Sequence, residues 1–211
     1  MDKEEMILLI DPNDPELSKK IKNLKPTYGF CIFIDIVGST ELKDEGLSKW
    51  IMLIYNTFAN INSFLFSKFQ PIKSIGDALM YFISESEMKE ETPLTLYDAL
   101  VNIINSNEPY FKKIKIGVAY CKEAYDITFI KDNKDIYGKD IDLTARLASI
   151  AESQEIIMNS DFVKKIRDEY DKILNKHQFP DVPKIVGPWP QKFKGFKNKV
   201  EIFKTIGRST Y

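Results

Sequence analysis

Histidine, cysteine and long apolar runs are all scarce in this chain. There is one histidine, His177, in a polar, lysine-rich stretch, which gives a zinc site or a histidine-based catalytic triad almost nothing to build on. The two cysteines, Cys31 and Cys121, fall in separate apolar stretches and have no metal-ligand spacing between them. Reduced, buried thiols of a cytoplasmic protein are the expectation, rather than a disulfide scaffold. An excess of charge is missing too: 30 Lys and Arg stand against 31 Asp and Glu, a net charge of −1. That balance gives no general attraction to nucleic acid or to acidic membranes, and no basic stripe is interleaved with aromatics. No apolar run is long enough to span a bilayer. The start, Met1-Asp2-Lys3-Glu4-Glu5, is too acidic for a signal peptide. Internal repeats and low-complexity segments are also lacking.

What is present is a chain of 211 residues, 44% hydrophobic and 29% charged, which suits one soluble globular domain plus an arm. Residues 1–28 carry Asp11-Pro12-Asn13-Asp14-Pro15 and Lys25-Pro26, turn chemistry that predicts an N-terminal arm with one short helix at 16–24. Residues 29–211 then form the main domain. Phe30-Cys31-Ile32-Phe33-Ile34 predicts a buried strand over 29–36 that ends at a carboxylate, Asp35. Gly38, Ser39 and Thr40 follow, a turn and a helix start. An acid beside free backbone N–H groups suits a divalent metal with a polyphosphate. The same residues also suit a solvated Asp before an ordinary helix.

Further on, Ile51, Ile54, Phe58, Ile61 and Leu65 alternate by three and four, which predicts one amphipathic helix over 46–69, with Trp50 and Phe64 broadening its buried stripe. Pro71 closes it. Residues 72–75 and 78–83 flank Gly76-Asp77, a hairpin with Asp77 on its tip. Residues 84–91 are expected as a charged loop, 94–105 as a helix, and 113–120 and 127–130 as strands. A helix from Tyr137-Gly138-Lys139 to about Ala151 carries Asp142 and Arg146 four apart on one face, with Leu143, Leu147 and Ile150 toward the core. That pair is either a surface ion pair of about 0.3–0.5 kcal/mol or an arginine aimed at a phosphate with Asp142 beside it. A strand at 155–158, a helix at 161–176 and a strand pair at 192–195 and 199–205 complete the chain. Frequent hairpins among alternating elements favour an α+β fold with a mixed or antiparallel sheet and flanking helices.

Four segments occur in one order: Phe33-Ile34-Asp35-Ile36-Val37-Gly38-Ser39-Thr40; Lys73-Ser74-Ile75-Gly76-Asp77; Asp135-Ile136-Tyr137-Gly138 running to Ala145-Arg146-Leu147; and Phe193-Lys194-Gly195-Phe196. Together they resemble the catalytic domain of class III nucleotidyl cyclases, the adenylate and guanylate cyclases, over about residues 29–205. The resemblance implies a ferredoxin-like catalytic domain and a lyase reaction, nucleoside triphosphate to 3′,5′-cyclic nucleotide and pyrophosphate. It implies two Mg²⁺ or Mn²⁺ ions on Asp35 and Asp77, with the carbonyl of Ile36 as a further ligand. It places backbone N–H groups of Val37, Gly38, Ser39 and Thr40 on the β- and γ-phosphates, with Phe33 beside them, and Lys73 and Asp135 on the base. It puts Arg146 at the α-phosphate and Lys194, with Lys197 close by, at the terminal phosphates. The family's sites form between two domains, and both sets of residues are here, so a homodimer is implied. Lys with Asp is the usual adenylate cyclase pair, but Asp142 stands where Asn is normal. A bare cyclase domain also resembles the short cyclases of bacterial Pycsar antiphage systems, which make cyclic UMP or cyclic CMP for a separate effector. Cyclisation of UTP or CTP is therefore the expectation, ATP the runner-up, and a catalytically inactive nucleotide-binding domain a third reading.

Overall fold

A computed structural model describes residues 7–65, 69–89, 91–108, 111, 113–174 and 185–206, leaving His177 outside. Its centre is β2 (Gly29–Ile36), which pairs antiparallel with β4 (Ala78–Ser84) on one side and β5 (Ile114–Cys121) on the other. A strand covered on both faces needs apolar side chains at successive positions rather than at alternate ones. Phe30, Ile32 and Ile34 enter one core, while Cys31 and Phe33 enter a second on the opposite face. With β3 (Lys73–Ile75), β7 (Glu155–Asn159), β8 (Val186–Gln191) and β9 (Val200–Ile206), the sheet order is β3-β4-β2-β5-β7-β9-β8. Among the described strands of this sheet only β5 and β7 pair in parallel, and α6 (Lys139–Ile150) crosses between them. The expected α+β architecture with a mixed sheet is thus what the chain adopts.

The first face is buried under α3 (Leu47–Phe64), α5 (Pro93–Asn105) and α7 (Ser160–Leu174), through residues such as Ile61, Leu100 and Phe162. The second face carries α6, through Leu143 and Leu147. Gly117 on β5 makes that contact close: a Cβ there would lie 2.3 Å from the Ala148 nitrogen and 2.6 Å from the Thr144 oxygen. Helix backbone therefore rests directly on strand backbone, which fixes the outward face of α6 relative to the end of β2.

The arm is joined to the domain by strand pairing. β1 (Leu8–Leu9) runs parallel to β6 (Ile127–Thr128), and the Thr27 N–H donates to the Ala124 carbonyl at 2.7 Å. Between these contacts lies α1 (Leu17–Asn23), close to the expected 16–24.

Several elements depart from expectation. The helix expected over 46–69 is α3, which stops at Phe64, with residues 66–68 outside the described set; it is separated from α2 (Ser39–Glu45), the helix expected to start at Gly38-Ser39-Thr40, by Gly46, whose φ of 137° a side chain would resist. The N-terminal half of the α3 stripe lines an open groove with Ser74 and Gly76, so Ile51 is exposed and Trp50 only half-buried, while Ile61 and Leu65 are fully buried. The loop at 84–91 contains α4 (Glu85–Met88), held by a reciprocal cap between Ser84 and Glu87. The strand expected at 127–130 stops at Thr128. The strand expected at 192–195 is a loop, and β9 pairs instead with β8 at 186–191, an edge strand that tolerates Pro188 and Pro190 because its outer N–H positions need no partner. Ile150 is partly exposed at the end of α6 rather than in the core. Both cysteines are free and buried. No described helix is long and apolar enough to cross a membrane.

Candidate active site

The end of β2 and the β3–β4 turn bring two acids from distant sequence together. Asp35 pairs across the sheet with Ala78, so Asp77, one residue earlier in the turn, adjoins it. The buried Ser39 hydroxyl, on the first residue of α2, donates to Asp77 Oδ2. This bond ties the start of α2 to the hairpin tip. Helix α2 has no side-chain cap, which leaves the N–H groups of its first turn open to an oxyanion. The Val37 N–H is not among them, since it donates to the Lys113 carbonyl at 2.7 Å. Phe33 is buried in the packing beneath α6, not on an open wall.

Lys115, on β5 directly across from Asp35, sets its Nζ 3.1 Å from Asp35 Oδ2. Nothing in the sequence around Lys115 marks it. Only the register of β2 against β5 puts it there. Two carboxylates with a backbone carbonyl nearby are hard oxygen donors of the kind Mg²⁺ or Mn²⁺ prefers. Among the described residues no cluster of three or more His, Cys, Asp and Glu forms a metal cage.

The second group comes from the edge strand and the loop before α6. Lys73 Nζ lies 2.7 Å from Asp135 Oδ1 and 3.0 Å from Oδ2, and the Ile136 N–H donates to Oδ1 at 2.8 Å. Burial pushes the Asp135 carboxyl up. The bonds from Lys73 and Ile136 and the Tyr137 hydroxyl beside it outweigh that and hold it below its ordinary range. The carboxylate therefore stays ionised and presents acceptors only, while Lys73 presents donors. A pair of this kind matches any molecular edge that sets an acceptor next to a donor.

The third group points away from the sheet. Asp142 and Arg146 are both exposed on α6, on the face opposite Leu143 and Leu147. Lys194 is exposed beside the buried anchor Phe193, and Lys192 Nζ folds the loop by donating to the carbonyls of Phe196 and Lys197 at 2.8 and 2.6 Å. A cleft of 550 Å³ between this loop and the start of α6 is lined by Lys139, Lys197 and Lys199 among others, with Lys194 outside it. A cleft of 640 Å³ between α4, α5 and α7 is lined by Glu85, Lys165 and Glu169 among others and by no residue of the three groups.

The chain thus holds two adjoining acids, a donor–acceptor pair and an outward cationic helix face. Residues 29–179 match the family described as adenylate and guanylate cyclase catalytic domain. No curated protein matches the chain. Among solved structures, the adenylyl cyclase CyaB from P. aeruginosa superposes with a TM-score of 0.70 at 19% identity, covering 87% of this chain and 96% of that one. The guanylyl cyclase Cya2 gives 0.66 at 16% identity, covering 87% and 94%. A non-canonical dimeric guanylyl cyclase domain of the RhoGC fusion protein from the aquatic fungus Blastocladiella emersonii gives 0.61 at 14%, covering 86% and 97%. At these identities the likenesses show the fold.

Proposed function

This chain belongs to the family of adenylate and guanylate cyclase catalytic domains, and on that premise we propose that it converts a pyrimidine nucleoside triphosphate, UTP or CTP, to the 3′,5′-cyclic nucleotide as a homodimer. The coarser statement, a nucleotide cyclase of the class III lyases, follows from the family itself. The reading that this chain holds a nucleobase rests above all on one observation: Lys73, on the hairpin that carries Asp77, meets Asp135, far away in sequence, at 2.7 Å as a donor–acceptor pair.

Asp35 and Asp77, with the Ile36 carbonyl, would hold the two divalent ions, which lower the pKa of the ribose 3′-hydroxyl and neutralise the leaving pyrophosphate. The open N–H groups of Gly38, Ser39 and Thr40 take β- and γ-phosphate oxygens. Lys73 and Asp135 fix the base and through it the ribose, so that the 3′-oxygen stands in line with the α-phosphorus. Arg146 absorbs charge that grows on the α-phosphate, and Lys194 or its neighbour Lys197 does so at the terminal phosphates. No side chain stands out as a general base, so the proton leaves to water or to the substrate.

The homodimer is supported by Arg146 and Asp142, which are exposed on α6 on the face opposite Leu143 and Leu147 and so are open to a second copy. Each copy supplies its acids to one site and its Lys73, Asp135 and Arg146 to the other. Support for a pyrimidine comes from Asp142, a carboxylate at the position that is Asn in most cyclases. It also comes from the resemblance to short antiphage cyclases, whose product acts through a separate effector. ATP is the second reading, favoured by the Lys–Asp pair itself. Incubation with each of the four NTPs and Mn²⁺, with cyclic products resolved by mass spectrometry, separates them. UTP or CTP turnover is expected; conversion of ATP alone overturns the pyrimidine reading, and binding without turnover of any NTP overturns the enzyme.

A further inference from the structure

Two aromatic rings stand in water beside the Lys73–Asp135 pair. Phe129 is 59% exposed and Tyr137 is 37% exposed, and their rings meet edge to face with centroids 5.3 Å apart. Neither belongs to either core cluster. A protein gains nothing in stability by holding two large rings in solvent, so exposed aromatics in contact commonly mark a binding surface.

The surroundings of these rings say what they bind. Lys73 Nζ lies 5.2 Å from the Tyr137 ring centroid. The Tyr137 hydroxyl lies against the Asp135 carboxylate, an interaction that together with partial burial raises the phenol above its ordinary pKa. Tyr137 therefore touches both members of the pair that would read a base edge. Its position is set by backbone: Tyr125 N–H donates to its carbonyl at 2.7 Å, and its own N–H donates to the Tyr125 carbonyl at 3.0 Å. A Cβ on the next residue, Gly138, would fall 1.8 Å from the Glu123 oxygen, so that turn is pressed against the preceding loop. Phe129 is held equally firmly. Thr128 before it is buried, and its hydroxyl both donates to the Ile130 carbonyl at 2.9 Å and accepts from the Ile130 N–H at 3.1 Å.

We propose that the nucleobase of the substrate stacks on Phe129 as a shelf, with Tyr137, its ring plane 84° from that of Phe129, walling one side, while Lys73 and Asp135 hold the edge of the base. This rests on the cyclase reading of that pair. Every base has a π-face, so Phe129 supplies affinity with little regard to which base is bound. Tyr137 does two things: its ring walls the side of the stacked base, and its hydroxyl positions Asp135, so it acts on base choice through that carboxylate.

The test compares wild type, Phe129→Ala, Phe129→Trp and Tyr137→Phe by steady-state kinetics with all four NTPs and by equilibrium binding of a non-cyclisable α,β-methylene nucleotide. Phe129→Ala is expected to weaken binding and raise KM about tenfold, with kcat within about twofold and the order of base preference unchanged. Phe129→Trp restores binding. Tyr137→Phe keeps the ring and changes the ranking of the bases. Unchanged binding in Phe129→Ala, where wild type binds, overturns the shelf and leaves the cyclase reading intact. So does loss of the dimer in that variant with full affinity regained at high protein concentration, since the rings then serve the subunit interface. If wild type binds no nucleotide, the cyclase reading falls and takes the shelf with it.

Discussion

Lys115 Nζ sits 3.1 Å from Asp35 Oδ2, joining the strand on one side of β2 to the acid at its end. An ammonium and a divalent cation compete for the same carboxylate. Both partners are partly solvated, which weakens but does not remove the competition. Lys115→Gln is therefore expected to raise the affinity of nucleotide-free protein for Mn²⁺ about threefold to tenfold. Free Mn²⁺ counted by electron paramagnetic resonance is the readout; an unchanged isotherm would show that Lys115 does not compete.

Asp77 accepts a hydrogen bond from Ser39 and is half-buried in the turn between β3 and β4. Asparagine keeps an oxygen that can accept that bond but removes the charge that grips a metal. Asp77→Asn is expected to lower turnover about a hundredfold or more while the thermal midpoint moves by only a few degrees. A variant with wild-type turnover would remove Asp77 from the metal site.

If each site draws its acids from one copy and its arginine from the other, two dead proteins can repair each other. Asp77→Asn and Arg146→Ala, each inactive alone, give mixed dimers with one intact site. After unfolding and refolding together in equal amounts, random pairing yields about one quarter of wild-type activity. No recovery in a mixture that demonstrably exchanges subunits would falsify the shared site.

Stability should fall in acid through Asp135. Its folded carboxyl lies below the ordinary value of 3.8 because its hydrogen-bond donors outweigh the cost of burial. As pH drops past 3.8 the unfolded chain takes up a proton that the folded chain still refuses, so the stabilising contribution shrinks and is gone below the folded pKa. Urea midpoints taken between pH 6 and pH 3 should decline less steeply for Asp135→Asn than for wild type. Parallel slopes would mean that other carboxylates govern the acid limb.

How far the sequence carried depended on whether a feature is local. β2 was legible to its ends because residues 30–34 are apolar without a break and Asp35 interrupts them. The Gly76-Asp77 hairpin was legible from its turn chemistry. The Ser84–Glu87 cap carried a recognised spacing, serine with glutamate three on, and was hidden by the surrounding charge. β8 was missed because Pro188 and Pro190 argue against a strand, and only its place at the sheet edge permits them. Lys115 and Phe129 have no local signature. The first needs the register of two strands, and the second needs to be seen outside both cores. Of the site, Asp35 and Asp77 could be suspected from their turns, whereas the partnership of Lys73 with Asp135 came from the resemblance and is visible as contact only in three dimensions.

The pairing of β1 with β6 has a practical corollary. Leu8 and Leu9 are stitched to the strand that leads to Phe129 and Asp135, so if those two residues hold the base, the segment around Leu8 tethers the base-holding loop and not the turn that carries Asp77. A bulky fusion placed ahead of Leu8, or deletion up to Thr27, should blur discrimination between nucleotides before it slows ring closure. Product profiles from a mixed NTP pool, compared at matched total turnover, would reveal the blurring.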